Sequence, residues 1–202
     1  MQRSKQEKLG SEQKKAVGLL SIGTFLEYFD LMLYIHMAVL LNELFFPKTD
    51  PFTASLLSAF AFCSSYILRP FGALIFGFIG DFIGRKSVIV ITTIIMAITC
   101  TTIAVLPTYA QIGITASWII TICRMVQGMA ASAESRGAEI YITESIKPPL
   151  QYPLVAIITV FSAVGTSFAL GISSIFTNVN IFGTENQYWR VAFFLGALIG
   201  LV

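Results

Sequence analysis

Apolar residues run along this chain in long unbroken stretches, not in the three-and-four spacing of a helix lying on a soluble core. Runs near 16–40, 53–79, 88–106, 115–142 and 153–177 each reach the roughly 20 residues that a helix needs to cross a bilayer. A last run, 190–202, does not. The 12 residues after Arg190 extend about 18 Å as a helix, against a hydrocarbon core of about 30 Å. The pattern predicts five full spans and a sixth that is cut short. Between the runs lie turn-forming pieces: Phe46-Pro47-Lys48-Thr49-Asp50-Pro51, Pro107-Thr108-Tyr109, Lys147-Pro148-Pro149, and Asn178 through Gln187. No ten-residue alternation suggests a barrel, and lipid leaves helices as the other way to satisfy the backbone.

The polar residues between runs set an orientation. With residues 1–15 as a cytoplasmic tail, that side holds Arg3, Lys5, Lys8, Lys14, Lys15, Arg85, Lys86 and Lys147, and the other side holds Lys48 and Arg190. That imbalance predicts a cytoplasmic N-terminus. Tyr109, Trp118, Tyr188 and Trp189 then fall near the outer interface, as an aromatic belt.

Composition agrees. The 202 residues are 55% hydrophobic and 12% charged, with a mean hydropathy of +0.78, whereas soluble domains carry about 25% charged residues. A net charge of +2 with no basic, aromatic-rich patch speaks against nucleic acid. Cys63, Cys100 and Cys123 stand singly in apolar runs, so they predict small buried packing residues and neither a disulfide framework nor a zinc site. No nucleophile with its base, metal cluster or phosphate loop points to an enzyme, and no cofactor is implied.

Charges inside the spans are the informative exceptions. Glu27 and Asp30, three apart, share a face of the first helix near its middle, where an ionised carboxylate is costly unless paired or protonated. Two such acids side by side tend to hold a proton between them, the chemistry of a proton-coupled carrier. Tyr28 and Tyr34 are candidate hydrogen-bond partners, and Arg124 or Arg69 candidate counter-charges across the bundle. Arg124 lies about two turns into span four and demands an acidic partner or an anionic solute, with Gln127 and Gly128 nearby on its face. Arg69 precedes Pro70, which interrupts span two. His36 reads as an interface residue. Arg136 and Glu139, three apart, can neutralise one another. Gly165, Ala169 and Gly171 suit close helix contacts in span five. Gly77, Gly80 and Gly84 suit a helix end that packs closely and then turns, with Arg85 and Lys86 holding the loop at the cytoplasmic face.

Several motifs in order carry a resemblance. They are Gly77-Phe-Ile-Gly-Asp81-Phe-Ile-Gly84-Arg85-Lys86, Gly23-Thr24-Phe-Leu-Glu27-Tyr28-Phe29-Asp30, Leu44-Phe45-Phe46-Pro47 and Arg69-Pro70-Phe71-Gly72-Ala73. Leu106-Pro107-Thr108-Tyr109-Ala110-Gln111-Ile112-Gly113 and Arg124-Met-Val-Gln127-Gly128 complete the set. From about residue 17 onward the chain resembles the major facilitator superfamily, in its metabolite:proton symporter branch of proline/betaine, citrate, 2-oxoglutarate and shikimate carriers. The resemblance implies an all-α membrane protein: the six-span N-terminal half of a twelve-span fold, with two inverted three-helix repeats and solute bound at the midplane between halves. It places Glu27, Asp30, Tyr34, Arg124, Gln127 and Glu134 at the proton or substrate site. It makes Gly77, Asp81, Gly84, Arg85, Lys86 and Glu144 a latch between the halves in one state of alternating access. Phe82 stands where the family has a cation, so a weaker latch is expected, and Ser132-Ala133 replaces a glycine pair before Glu134.

Two functions fit these residues. One is a proton-driven symporter of small organic solutes such as proline or betaine, in a bacterial inner membrane, working with a missing C-terminal half. The other is a truncated, non-transporting membrane protein, a gene remnant or a half that must pair with another chain.

Overall fold

The computed structural model describes residues 10–47, 51–176 and 188–200, with side chains 12, 51, 54, 58, 135 and 136 also left aside. The tail 1–9, the turn residues 48–50, the polar segment 178–187 and the side chain of Arg136 therefore lie outside the described residues. What is described is helical, with no strand among those residues.

Helix α1 spans Ser11–His36 and starts ahead of the apolar run. Its polar first turn is fastened by Gln13, whose Oε1 accepts from the Gly10 amide at 3.0 Å and whose Nε2 donates to the Ser145 carbonyl at 3.2 Å. Met37 interrupts the helix without ending its hydrogen bonding, since its amide reaches Leu33 and its carbonyl serves Leu41; α2, Ala38–Phe45, follows. Span two is likewise interrupted but continuous: α3, Pro51–Ile67, passes through Leu68 into α4, Arg69–Ile83, with Pro70 in its first turn. Leu68 keeps bonds on both sides of the junction, its amide to Ser64 and its carbonyl from Gly72, while Pro70 sits at the start of α4, where a missing amide is best tolerated. Then come α5, Arg85–Val105, a single turn α6, Tyr109–Ile112, the 32-residue α7, Ile114–Ser145, and α8, Gln151–Phe176. A 12-residue α9, Trp189–Gly200, closes the described chain. Among the described residues 5 helical stretches are long and apolar enough to cross a membrane, and α9 is a shorter apolar helix.

Helices α1 and α7 form the middle of the bundle: α1 packs mainly on α8 and α7, while α3, α4 and α5 all pack on α7, and α9 on α5. Between apolar chains in lipid there is little hydrophobic drive, so close approach matters. Three described glycines lie against a neighbouring helix's backbone. A Cβ at Gly72 would collide with the Met129 carbonyl, at Gly128 with the Ser65 carbonyl, and at Gly165 with the Phe25 carbonyl. The expectation of close packing fails at Gly77, Gly84 and Gly171, where an added Cβ would meet open space. Gly84 is needed for its backbone instead: φ is +90°, between the end of α4 and the start of α5.

Two other expectations need correcting. Cys100 and Cys123 are buried, but Cys63 is exposed, because it lies on the outward side of a span that buries little of itself. Trp118 and Tyr188 are exposed, whereas Trp189 is buried edge-on between Phe45 and Phe193 and belongs to the core, not to a belt. At that end the Ser117 hydroxyl donates to the Phe45 carbonyl, and Arg190 Nη1 reaches the Ala104 carbonyl at 2.6 Å, closing the last turn of α5.

Candidate functional site

The intramembrane charges meet where α1, the α3–α4 junction and α7 come together. Glu27, Asp30 and Tyr34 stand on one face of α1, and Arg124 and Gln127 on the facing side of α7. Gly128 lets α3 lie against α7, where the Ser65 hydroxyl donates to the Arg124 carbonyl at 2.9 Å. Asp30 is 3% exposed. Its Oδ1 accepts from Arg124 Nη2 at 3.0 Å, from Gln127 Nε2 at 3.1 Å and from the Cys100 thiol at 3.3 Å. The Arg124 guanidinium also lies over the Tyr34 ring, 4.4 Å from its centre. Tyr34 thus serves Arg124 through its π face.

Glu27 has a different arginine. Arg69 Nη2 stands 3.4 Å from Glu27 Oε1, with its guanidinium 4.9 Å above the Tyr66 ring. Each acid thus contacts an arginine of its own. Each pair offsets a burial cost that either ion alone could not bear. Between them lies a cleft lined by Glu27, Asp30, Ser65, Tyr66, Arg69 and Arg124, with a volume of ≈ 20 Å³. That admits a water molecule, and falls well short of the roughly 300–1,000 Å³ of a ligand pocket.

Glu134 is elsewhere. Ten residues beyond Arg124 puts it about 15 Å further along α7, where it is 1% exposed, faces Gly23 of α1 and meets the Thr93 hydroxyl of α5 at 3.0 Å. The loop-signature residues form a third group. Arg85 lies 3.2 Å from Glu144 at the end of α7 and 3.8 Å from Asp81 in α4, joining three helices at the end where Gln13 meets Ser145. Lys86 is exposed beside it, and Gly77 lines a neighbouring groove. His36 is exposed and holds the Met32 carbonyl at 2.7 Å. Among the described residues no three His, Cys, Asp or Glu side chains gather as a metal site.

Sequence reasoning misses Ser65, Tyr66 and Thr93, and it assigns Cys100 to packing alone. Thr93 and Cys100 are seven apart, on one face of α5, and that repeat of small polar residues in an apolar run is the available signal.

The sequence profile of the sugar (and other) transporter family matches residues 16–202. The chain belongs to that family. Among curated relatives it is 32% identical over 192 residues to the proline/betaine transporter of Salmonella typhimurium, covering 94% of this chain and 38% of that protein. It is 33% identical over 199 residues to the inner membrane metabolite transport protein YhjE of Escherichia coli, covering 96% and 44%. The chain thus spans less than half the length of these relatives. Among solved structures, the proton:xylose symporter XylE superposes with a TM-score of 0.78 at 17% identity, over 93% of this chain and 42% of XylE. An inward-open form of XylE from E. coli gives 0.72 at 19% identity, over 93% and 45%. Fold and family together make this a multi-pass membrane protein of transporter type, with the architecture of the N-terminal half of the major facilitator superfamily.

Proposed function

We propose that this chain supplies one half of a proton-coupled symporter for small zwitterionic solutes such as proline or betaine, working by alternating access. The observation that carries the reading is the two acid–arginine contacts, buried Asp30–Arg124 and part-buried Glu27–Arg69, on the lining of one cleft. A zwitterion presents a carboxylate to guanidinium groups and a cation to carboxylates, so it can exchange partners with both pairs without leaving a buried charge bare. The names of the relatives point the same way. In this reading a second half, from a longer chain or another chain, completes the pocket. The N-terminus lies in the cytoplasm of a bacterial inner membrane, and protons enter with the solute. Asp81, Arg85, Lys86 and Glu144, hinged at Gly84 beside Gly77, latch the halves in one state.

The test is uptake of labelled proline, betaine and 2-oxoglutarate into vesicles with and without an imposed pH gradient. Uptake of the first two, accelerated by an inwardly directed proton gradient, is expected. Preference for the dicarboxylate would overturn the solute class, and uptake indifferent to the gradient would overturn the coupling.

A further inference from the structure

A second hollow lies in the gap between the α1–α2 stretch and α3. Its volume is ≈ 320 Å³, and it shares no lining residue with the ion-pair cleft. That is room for a small organic molecule. Ala38 and Ala59 line it from opposite sides, so little side chain fills the gap. Charge around it is scarce. Among the described residues between Tyr34 and Ile67, the carboxylates and basic groups are His36, which holds the Met32 carbonyl, and the exposed Glu43. Neither lines the hollow.

Aromatic rings and a carbonyl oxygen give its walls their polarity. The Phe62 ring lies parallel to the Tyr34 ring, 6.3 Å from centre to centre, and both rings line the hollow. On its other side Phe62 meets the Tyr66 ring at 5.2 Å. Tyr34 and Tyr66 each have an arginine over one face, at 4.4 Å and 4.9 Å, whereas Phe62 has none among the described residues. Those guanidinium charges are met by Asp30 and Glu27, so they do not make the hollow positive. Asn42, also on the wall, carries an Oδ1 that no described donor meets, and its partial negative charge is left uncompensated. A π face and a bare carbonyl oxygen both favour positive charge, and no cationic group stands on the walls to hold an anion. We propose that this hollow is a binding site for small alkylammonium compounds, with the cationic head against the Phe62 ring. The ammonium end of a zwitterion qualifies as well as a simple cation. The inference goes beyond the transport reading, since it needs neither ion pair to open nor a proton to move.

Saturation-transfer NMR tests it on the full chain in nanodiscs of zwitterionic lipid, with empty nanodiscs as the blank. The probes are choline and neohexyl alcohol, its uncharged carbon isostere. Choline methyl protons should saturate, and choline should bind more tightly than the alcohol. Phe62→Leu keeps the wall apolar but removes the π face, so it should weaken choline about two- to fivefold and leave the alcohol unchanged. Phe62→Tyr should restore choline. Val39 lines the hollow and is 77% exposed, so it can take a charge without loss of packing. Val39→Lys should weaken choline and Val39→Glu strengthen it, each about threefold for charges about 6 Å apart in water. That pair decides the matter if Phe62→Leu does not fold. An alcohol that binds as well as choline, or choline binding weakened alike by both Val39 charges, would mean a merely apolar hollow that lipid chains fill, and would overturn the proposal. So would choline saturation no greater than the blank. Choline carries no carboxylate and reports this site whether or not solute moves: failed betaine uptake with choline bound strikes the transport reading alone, and uptake without choline binding strikes this one.

Discussion

Asp30 and Arg124 offer the sharpest energetic test, because both are about as buried as charged groups become, with side chains 4% and 3% exposed at a separation of 3.0 Å. Coulomb attraction at that distance is about 5 kcal/mol for an effective dielectric constant of about 20. Desolvation of both ions offsets much of it, so the net worth of the intact pair is small. The asymmetry appears when one partner goes. Asp30→Asn strands the guanidinium and Arg124→Met strands the carboxylate, each at roughly 3–5 kcal/mol. The double variant strands neither. An asparagine in place of Asp30 would still accept from Gln127 and Cys100, which hold Oδ1 at 3.1 Å and 3.3 Å. The double variant should therefore lose much less than the sum of the single losses, with a coupling of about 2 kcal/mol or more. Ordinary interhelical hydrogen bonds in membranes couple by about 0.6 kcal/mol, so the two cases are distinguishable. Reversible unfolding in bicelles, followed by helicity for all four corners of the cycle, gives the number. Additivity to within about 0.5 kcal/mol would refute the claim that these two charges answer one another.

Two contrasts extend the test. Gly128→Ala places a Cβ against the Ser65 backbone carbonyl, so the same unfolding assay should show a loss of about 1–3 kcal/mol, while Gly171→Ala, in open space, should change little. Glu144→Gln breaks a contact to Arg85 of 3.2 Å, nearly as short as the buried one, but the glutamate side chain is 58% exposed. Its stability cost should stay below about 1 kcal/mol, and a larger loss would mean that the Arg85 contact holds the helix ends together more firmly than an exposed pair can.

How much of this is legible in the sequence depends on the scale of the question. An all-helical membrane bundle follows from run length and the scarcity of charge, because the bilayer leaves a chain few other choices. The same logic marks Glu27, Asp30 and Arg124 as needing partners, since an isolated charge in lipid is too costly to leave unexplained. Which partner each finds is not legible. Arg69 and Arg124 lie 42 and 94 positions from the acids they contact, and only the packing of α3 and α4 on α7 decides the match. Small residues mislead in both directions. Gly77 and Gly171 look like Gly128 and Gly165 in the sequence, yet of these four only the last two face a neighbouring backbone, a distinction set by helix rotation. Trp189 looks like an interface residue from its place at a run's edge, but Phe45 and Phe193 enclose it. Thr93 and Cys100 stay hidden because a threonine or cysteine in a span usually satisfies itself within its own helix.

Coupling of solute movement to protons by buried acids on α1 and α7 is the centre of this reading. A pH-sensitive dye sealed inside vesicles measures it directly when proline or betaine is added outside. The expected result is acidification of the lumen that follows solute entry and disappears in Asp30→Asn and Glu134→Gln. Solute entry with no change in lumen pH, or acidification unaltered in both variants, would contradict it.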